Sequence, residues 1–235
     1  MRSNDRDLES RGFLKEGEEI AFVNLTNSQK LELLKSLVSK ERTLGARLAK
    51  GVGEPAVSAL IAALKVEKKL YPKIEICNTL VALGEVAVKP LIAELGRIGN
   101  NQHKDLPDKA FEKDSYPLPR DIVARTLAHI GKKALPDLLN VLEESDSTRL
   151  SEAIDAIGYI CFYSYSPGVF EKLKECYICN ANNELVCWKI FRATSGCPSG
   201  LQFLVEQRAL CKKSILLNEI NRSIRLIEKR ELSIL

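Results

Sequence analysis

One block of nine residues occurs three times in this chain, with apolar residues at the same positions each time. It reads Ala-Val-x-x-Leu-Ile-x-x-Leu at 56–64 and 87–95, and Ala-Leu-x-x-Leu-Leu-x-x-Leu at 134–142. A glycine stands three residues before each block: Gly53, Gly84 and Gly131. Because apolar residues three and four apart share one side of a helix, the block predicts a recurring amphipathic helix. A recurring unit of this kind predicts stacked helices in a protein whose work is binding.

The residues before the glycines also repeat, which predicts a second helix in each unit. Counting back from Gly84, Gly131 and Gly158, the preceding residue and the fourth residue back are apolar, and the fifth is small. Twelve positions back stands a residue that favours a helix start: Pro72, Pro119 or Asp146. The predicted unit is therefore helix, short turn, helix and glycine.

This unit resembles the HEAT repeat, in particular the short prokaryotic type of the bilin-lyase-like HEAT proteins. The matching stretches are residues 84–95, with Gly-Glu-x-Ala-Val-x-Pro-Leu-Ile-x-x-Leu, and residues 153–158, with Ala-x-x-Ala-Ile-Gly. The resemblance extends over residues 39–158 and implies an all-α fold, an alpha-alpha superhelix of about five antiparallel helix pairs. Members of the family are typically protein-binding scaffolds, and some are bilin lyases, hydroxylases or DNA glycosylases.

Glycine spacing and composition predict how the chain is organised. Gly84 and Gly131 are 47 residues apart, against 31 and 27 residues for the neighbouring intervals. The excess lies in residues 97–118, which we expect to form an exposed, mobile loop insertion. Residues 1–26 mix charges of both signs without helical periodicity, so we expect a disordered or loosely attached leader. Residues 27–235 are predicted to form one helical repeat domain whose repeats degenerate after residue 158.

Composition argues against several classes of protein. The chain of 235 residues has a net charge of +4 and is 45% hydrophobic. It has neither an apolar run of about 18 residues nor a hydrophobic N-terminal segment, so we expect a cytoplasmic protein without a membrane partner. Nucleic-acid binding is a minor alternative, because glutamates alternate with the basic residues near the C-terminus instead of leaving a basic stripe.

Four of the seven cysteines suggest a metal site, which is the main alternative to a scaffold: Cys176, Cys179, Cys187 and Cys197. A Cys-x-x-Cys turn can present two thiolates to zinc or to an iron–sulfur cluster. That alternative is a lyase-like or metal-dependent enzyme, or a redox sensor, with its site in the C-terminal half. Against it, Cys187 and Cys197 stand singly, and free cysteine is common in helical cores. We therefore expect buried thiols, no cofactor and no catalytic residue.

The second helices of the repeats supply the candidate surface for a protein partner. Their polar positions outside the apolar stripe are Lys73, Glu75, Asn78, Arg125, His129, Arg149, Glu152 and Asp155. Because phosphate-binding glycine loops, nucleophile elbows and paired metal-binding histidines are absent from the sequence, we expect a non-enzymatic scaffold or adaptor. The aromatic residues of 159–177 fit either an irregular core or an exposed anchor. Trp188 has no aspartate nearby in its own helix, which disfavours the base pocket of a HEAT-type DNA glycosylase.

Overall fold

The computed structural model describes residues 5–232, with side chains from 7 to 230. Within that range every regular element is a helix, which confirms the predicted all-α class. The chain divides into two compact units, one ending at Ala93 and the other beginning at Glu94. The single domain predicted over residues 27–235 includes residues of both units. No helix in the described part of the chain is long and apolar enough to cross a membrane.

The first unit is organised around three central helices. Helix α3 packs against α5, and α4 contacts both α5 and α6. Leu60 and Leu80 lie at predicted apolar positions of α4 and α5 and are fully buried, as is Ile76 of α5. The α-helices of this unit are α1 (Asp5–Ser10), α2 (Asn27–Glu32), α3 (Ser39–Ala49), α4 (Val57–Val66), α5 (Leu70–Leu83) and α6 (Val88–Ile92).

The described part of the expected leader, residues 5–26, is folded against α3. Leu14 is buried together with α3 residues Leu44 and Leu48. The hydroxyl of Thr43 donates a hydrogen bond to the carbonyl of Gly12 at 2.6 Å. Where a disordered or loosely attached leader was expected, residues 5–26 contain short helical turns and make specific contacts with α3. Residues 1–4 lie outside the described range.

Four helices of the second unit form a row in which each packs against the next, and three other helices pack beside this row. Helix α9 contacts α7 and α11, and α11 contacts α13, while α8, α10 and α12 pack alongside. Asp121, Asp146 and Asn183 cap the N-termini of α7, α9 and α11 through their side chains. The helices are α7 (Ile122–Ile130), α8 (Leu135–Val141), α9 (Ser147–Tyr163), α10 (Val169–Cys179), α11 (Glu184–Thr194), α12 (Leu201–Leu210) and α13 (Ser214–Leu232).

Two of the repeated glycines have different roles. Gly131 ends α7 with a φ of 79°, a conformation that disfavours other residues, as expected for a turn glycine. Gly158 lies inside α9, which continues to Tyr163. A Cβ at Gly158 would lie 2.0 Å from Tyr116 Oη and 2.8 Å from Ala193 Cα. Gly158 is therefore needed for close packing rather than for a helix end.

The insertion, residues 97–118, contains no helix or strand. Its two ends are anchored, since Ile98 and Tyr116 are both buried. Most of the expected exposed loop insertion is indeed exposed or half-buried, and it lies against the helices of the second unit. That position brings it to the candidate site.

Candidate functional site

A lysine is buried between two carboxylates in the second unit. Lys189 of α11 is 0% exposed, and its Nζ lies 2.8 Å from Glu152 Oε1 and 2.8 Å from Asp155 Oδ2. Glu152 and Asp155 share one side of α9 because they are three residues apart. Burying three charged groups costs free energy that their pairing only partly recovers. A cluster of this kind is typical of functional sites as well as of structural networks.

A second ion-pair group joins α11 to α13. Glu219 accepts hydrogen bonds from Arg192 Nη2 at 3.0 Å and from Arg222 Nη1 at 2.6 Å. The guanidinium of Arg192 lies 3.8 Å from the centre of the Trp188 ring, within the range of a cation–π interaction. All four side chains are buried, so this group is fixed by its own contacts.

Burial shifts two pKa values in this region in opposite directions. Removal from water raises the pKa of Glu152 to about 7, with Lys189 opposing the shift and Asp155 adding to it. Desolvation lowers the pKa of His103 to about 4, so that its imidazole is neutral at neutral pH. The site therefore contains a neutral imidazole and a carboxyl group that titrates near neutrality.

The insertion lies on the basic residues of α11 and α13. We call Arg192, Arg222, Arg225 and Lys229 the basic face. Arg222 donates from Nε to the carbonyl of Lys113 at 3.0 Å and from Nη2 to that of Ser115 at 2.7 Å. Asp114 pairs with Arg225 at 3.2 Å and with Lys229 at 2.7 Å. The basic face thus holds both backbone and side-chain acceptors of the insertion.

Aromatic contacts continue this attachment. The Phe111 ring centre lies 4.9 Å from Arg222 Cζ and 5.8 Å from Arg192 Cζ. The ring of His103 meets Trp188 edge-on at 5.2 Å. His103 Nδ1 and Tyr116 Oη are buried and have no hydrogen-bond partner among the described residues. These two polar atoms of the insertion are therefore buried near the charged groups without forming hydrogen bonds to them.

A cavity of about 220 Å³ remains between the insertion and the helices α9 and α11. The helices contribute Asp155, Trp188 and Arg192 to its lining. Asp155 is 3% exposed, yet it reaches this cavity while Oδ2 pairs with Lys189. The insertion and the residues after it contribute His103, Phe111 and Leu118, three prolines, and the cations Lys109 and Arg120. The volume is sufficient for a side chain or a small ring, and the lining combines apolar walls with a few convergent polar groups.

The predicted contact residues of the second unit differ in their exposure. Glu152 and Asp155 are not surface groups, because α11 covers that side of α9 and Lys189 pairs with both. Arg149 is half-buried and donates from Nε to Glu144 at 2.7 Å. Arg125 donates to the carbonyl of Pro119 at 2.9 Å, whereas His129 is exposed.

The remaining three predicted contact residues lie on α5 of the first unit. Glu75 pairs with Arg47 at 3.1 Å, Lys73 is half-buried and Asn78 is exposed. They belong to a different unit from the buried charge cluster. The eight candidates therefore do not form one site within either unit.

The cysteines divide into separate groups. Burial raises the pKa values of the Cys176 and Cys187 thiols to about 11, and Cys179 is exposed. The thiol of Cys197 lies beside that of Cys161, and this contact raises the pKa of Cys197. Within residues 7–230 no three or more His, Cys, Asp or Glu side chains are grouped to hold a metal ion.

The aromatic segment 159–177 is buried in part and exposed in part. Phe170 is buried and its ring centre lies 5.7 Å from that of Phe203. Tyr163 and Tyr165 are exposed, although Tyr163 also contacts Tyr159 with a ring-centre distance of 4.8 Å. The segment is therefore core on one side and surface on the other.

The sequence did not predict that Trp188 and Asp155 line the same cavity, because only the tryptophan's own helix was searched for an aspartate. The aspartate comes from α9, and both residues line the cavity. A usable signal was present in α11, where Lys189 and Arg192 interrupt an otherwise apolar stretch. Charged residues at core positions of a helix indicate partners on a neighbouring helix.

Comparison with known proteins leaves the family open. No protein-family model matches the chain, and no curated protein matches it. The chain is similar to two crystal structures of engineered proteins. One is 17% identical with a TM-score of 0.36, over 87% of this chain and 99% of that protein. The other is 15% identical with a TM-score of 0.37, over 86% of this chain and 96% of that protein. Likeness at this level supports no argument about architecture or function.

Proposed function

We propose that the protein is a non-enzymatic binding scaffold with HEAT-like helix pairs, arranged as the superhelix that the repeat resemblance implies. The proposed partner is another protein. Its proposed binding surface is the row of α9, α11 and α13 in the second unit, on the side where the insertion lies. The successive contacts of α7, α9, α11 and α13 support this proposal, since repeat proteins bind partners along such rows.

The observation that carries the proposal is the attachment of the insertion itself. Arg222 donates to two backbone carbonyls of a segment that has no regular structure. Contacts to backbone carbonyls hold a segment without requiring particular side chains on it. The two Arg222 contacts therefore support a peptide-binding role for this row.

The buried charges behind the insertion also favour a binding role. Ion pairs such as Lys189 with Asp155 are often no better for stability than apolar residues of similar volume. Their presence beside a cavity lined by Trp188 and Arg192 is better explained by recognition than by stability. The metal-dependent enzyme or redox sensor at the cysteines gains no comparable support, because Cys197 is engaged with Cys161.

Hydrogen–deuterium exchange on a captured complex tests the proposal. The partner is captured from native cell extract with the full chain, and exchange is compared between the free and bound protein. We expect slower exchange in 147–163, 184–194 and 214–232. Protection confined to α5 of the first unit, or to α8, α10 and α12, would contradict the proposed surface. Lys174→Glu on the exposed side of α10 is the control and leaves capture unchanged.

A further inference from the structure

We propose that the basic face binds a partner peptide in which an aromatic residue precedes an acidic residue by three positions, in place of residues 111–115 of the insertion. This inference rests on the proposed function and names the chemistry of its partner. The insertion provides the template, because its Phe111 and Asp114 have this spacing.

The first argument is the geometry of the backbone contacts. Arg222 reaches the carbonyls of Lys113 and Ser115, which are two residues apart. The chain bends at Asp114 and Ser115, and both carbonyls reach the same guanidinium. A single guanidinium can therefore hold any peptide with this bend, whatever the side chains between the two carbonyls.

The second argument is the specificity of the flanking contacts. Phe111 packs beside the guanidinium groups of Arg192 and Arg222, which favours an aromatic ring through cation–π attraction. Asp114 faces the cations Arg225 and Lys229. An aromatic side chain followed by a carboxylate three positions later satisfies both contacts.

The third argument is that this part of the insertion can be exchanged. The Asp114 side chain is 48% exposed, and its partners Arg225 and Lys229 are 56% and 63% exposed. Exposed ion pairs of this kind contribute little to stability. Tyr116, in contrast, is buried against Gly158 and keeps the following chain in place. Residues 111–115 can therefore exchange with a partner peptide while Tyr116 keeps the following chain in place.

The fourth argument is that the face does not depend on the insertion for its shape. Glu219 holds Arg192 and Arg222 through buried hydrogen bonds within the helices. A partner therefore meets positioned arginines, which lowers the entropy cost of binding. Glu219 also makes a phosphate backbone a poorer ligand than a neutral carbonyl, because a carboxylate repels phosphate. These features favour a peptide over a nucleic acid.

The test uses a fluorescein-labelled peptide of residues 109–117, Lys-Ala-Phe-Glu-Lys-Asp-Ser-Tyr-Pro, and the full chain carrying Phe111→Ala with Asp114→Ala. Fluorescence anisotropy measures binding. The tethered segment competes in the wild type at an effective concentration on the order of millimolar, so we expect the variant to bind the peptide at least about tenfold tighter. A control peptide has alanine in place of its phenylalanine and lysine in place of its aspartate. We expect it to bind at least about tenfold more weakly than the template peptide.

A charge reversal identifies the surface. Arg225→Glu with Lys229→Glu, added to the same variant, is expected to weaken peptide binding by about fivefold or more, whereas Lys174→Glu leaves it unchanged. Asp114→Ala alone replaces the double variant if the latter does not fold, since it changes only an exposed side chain. Equal binding of the control peptide, indifference to the reversal, or tighter binding of a single-stranded oligonucleotide would overturn the inference.

The two proposals can fail separately. If the peptide does not bind but a captured partner protects α9, α11 and α13 from exchange, the surface is right and the peptide chemistry is wrong. If the partner protects other helices, the proposed function is wrong whatever the peptide does.

Discussion

Replacement of Lys189 by methionine removes the only ammonium group between the Glu152 and Asp155 carboxylates. The Lys189 side chain is fully buried, and both of its ion pairs are 2.8 Å long. Methionine has a similar length and keeps the apolar packing of the stem. The change therefore acts mainly on charge.

The magnitude follows from the unpaired carboxylates. Removal of one partner from a buried ion pair typically costs about 3–5 kcal/mol, because a charge remains without compensation. We expect Lys189→Met to lower the free energy of unfolding by about 4 kcal/mol at pH 8 and the melting temperature by on the order of 10 °C. Urea unfolding followed by the fluorescence of Trp188, the single tryptophan of the chain, measures the change.

A neutralised variant supplies the control for this prediction. Lys189→Met combined with Glu152→Gln and Asp155→Asn removes the whole charge set, and we expect most of the lost stability to return. A loss below about 1 kcal/mol for Lys189→Met, typical of an exposed pair, would refute the description of a buried cluster. A triple variant no more stable than Lys189→Met would refute the electrostatic cause.

Three further predictions concern other features of the molecule. The pKa of Glu152 lies at about 7, above its ordinary value of 4.5, so this carboxyl group contributes a fall of about 3 kcal/mol in the unfolding free energy from pH 4.5 to 8, which His103 largely offsets in the wild-type total. Glu152→Gln should remove that fall in parallel pH titrations of unfolding, while the opposite contribution of His103 below pH 6.5 stays in both proteins. Gly158→Ala should destabilise by about 1–3 kcal/mol in thermal melts, because its Cβ would meet Tyr116 Oη at 2.0 Å. Gly51→Ala, whose Cβ would have only an ordinary 3.6 Å contact, should be nearly neutral. Elemental analysis of anaerobically purified protein should give the same metal content for the wild type and Cys179→Ser, whereas a metal lost in the variant would restore the alternative of a metal site.

The repeated blocks show how far the sequence could predict this fold. The apolar positions Leu60, Leu91 and Leu138 are fully buried, because helical periodicity states which residues share a side. Periodicity does not predict which other helix will cover the polar side of a helix. The burial of Glu152 depends on Lys189, which lies 37 residues away in the chain.

The position of the insertion on the second unit could not be predicted from its local sequence either. Its composition predicts irregular backbone, and residues 97–118 are irregular. Its attachment depends on Arg222 and Arg225, more than 100 residues away in the chain. The sequence predicts that those arginines lie on a solvent-exposed helix face, because glutamates alternate with the basic residues there. Only the packing of α11 against α13 places Glu219 between two arginines and leaves the outer cations for the insertion.

The most direct measurement for the account is photo-crosslinking at position 225 in living cells. A photoreactive p-benzoylphenylalanine replaces the exposed Arg225, which contacts the insertion, and a second variant has it at the exposed Lys174 of α10. The account predicts adducts with another protein from position 225 and none from position 174. Adducts from position 174 alone, or only internal adducts with the insertion at position 225, would contradict the claim that this face binds the partner.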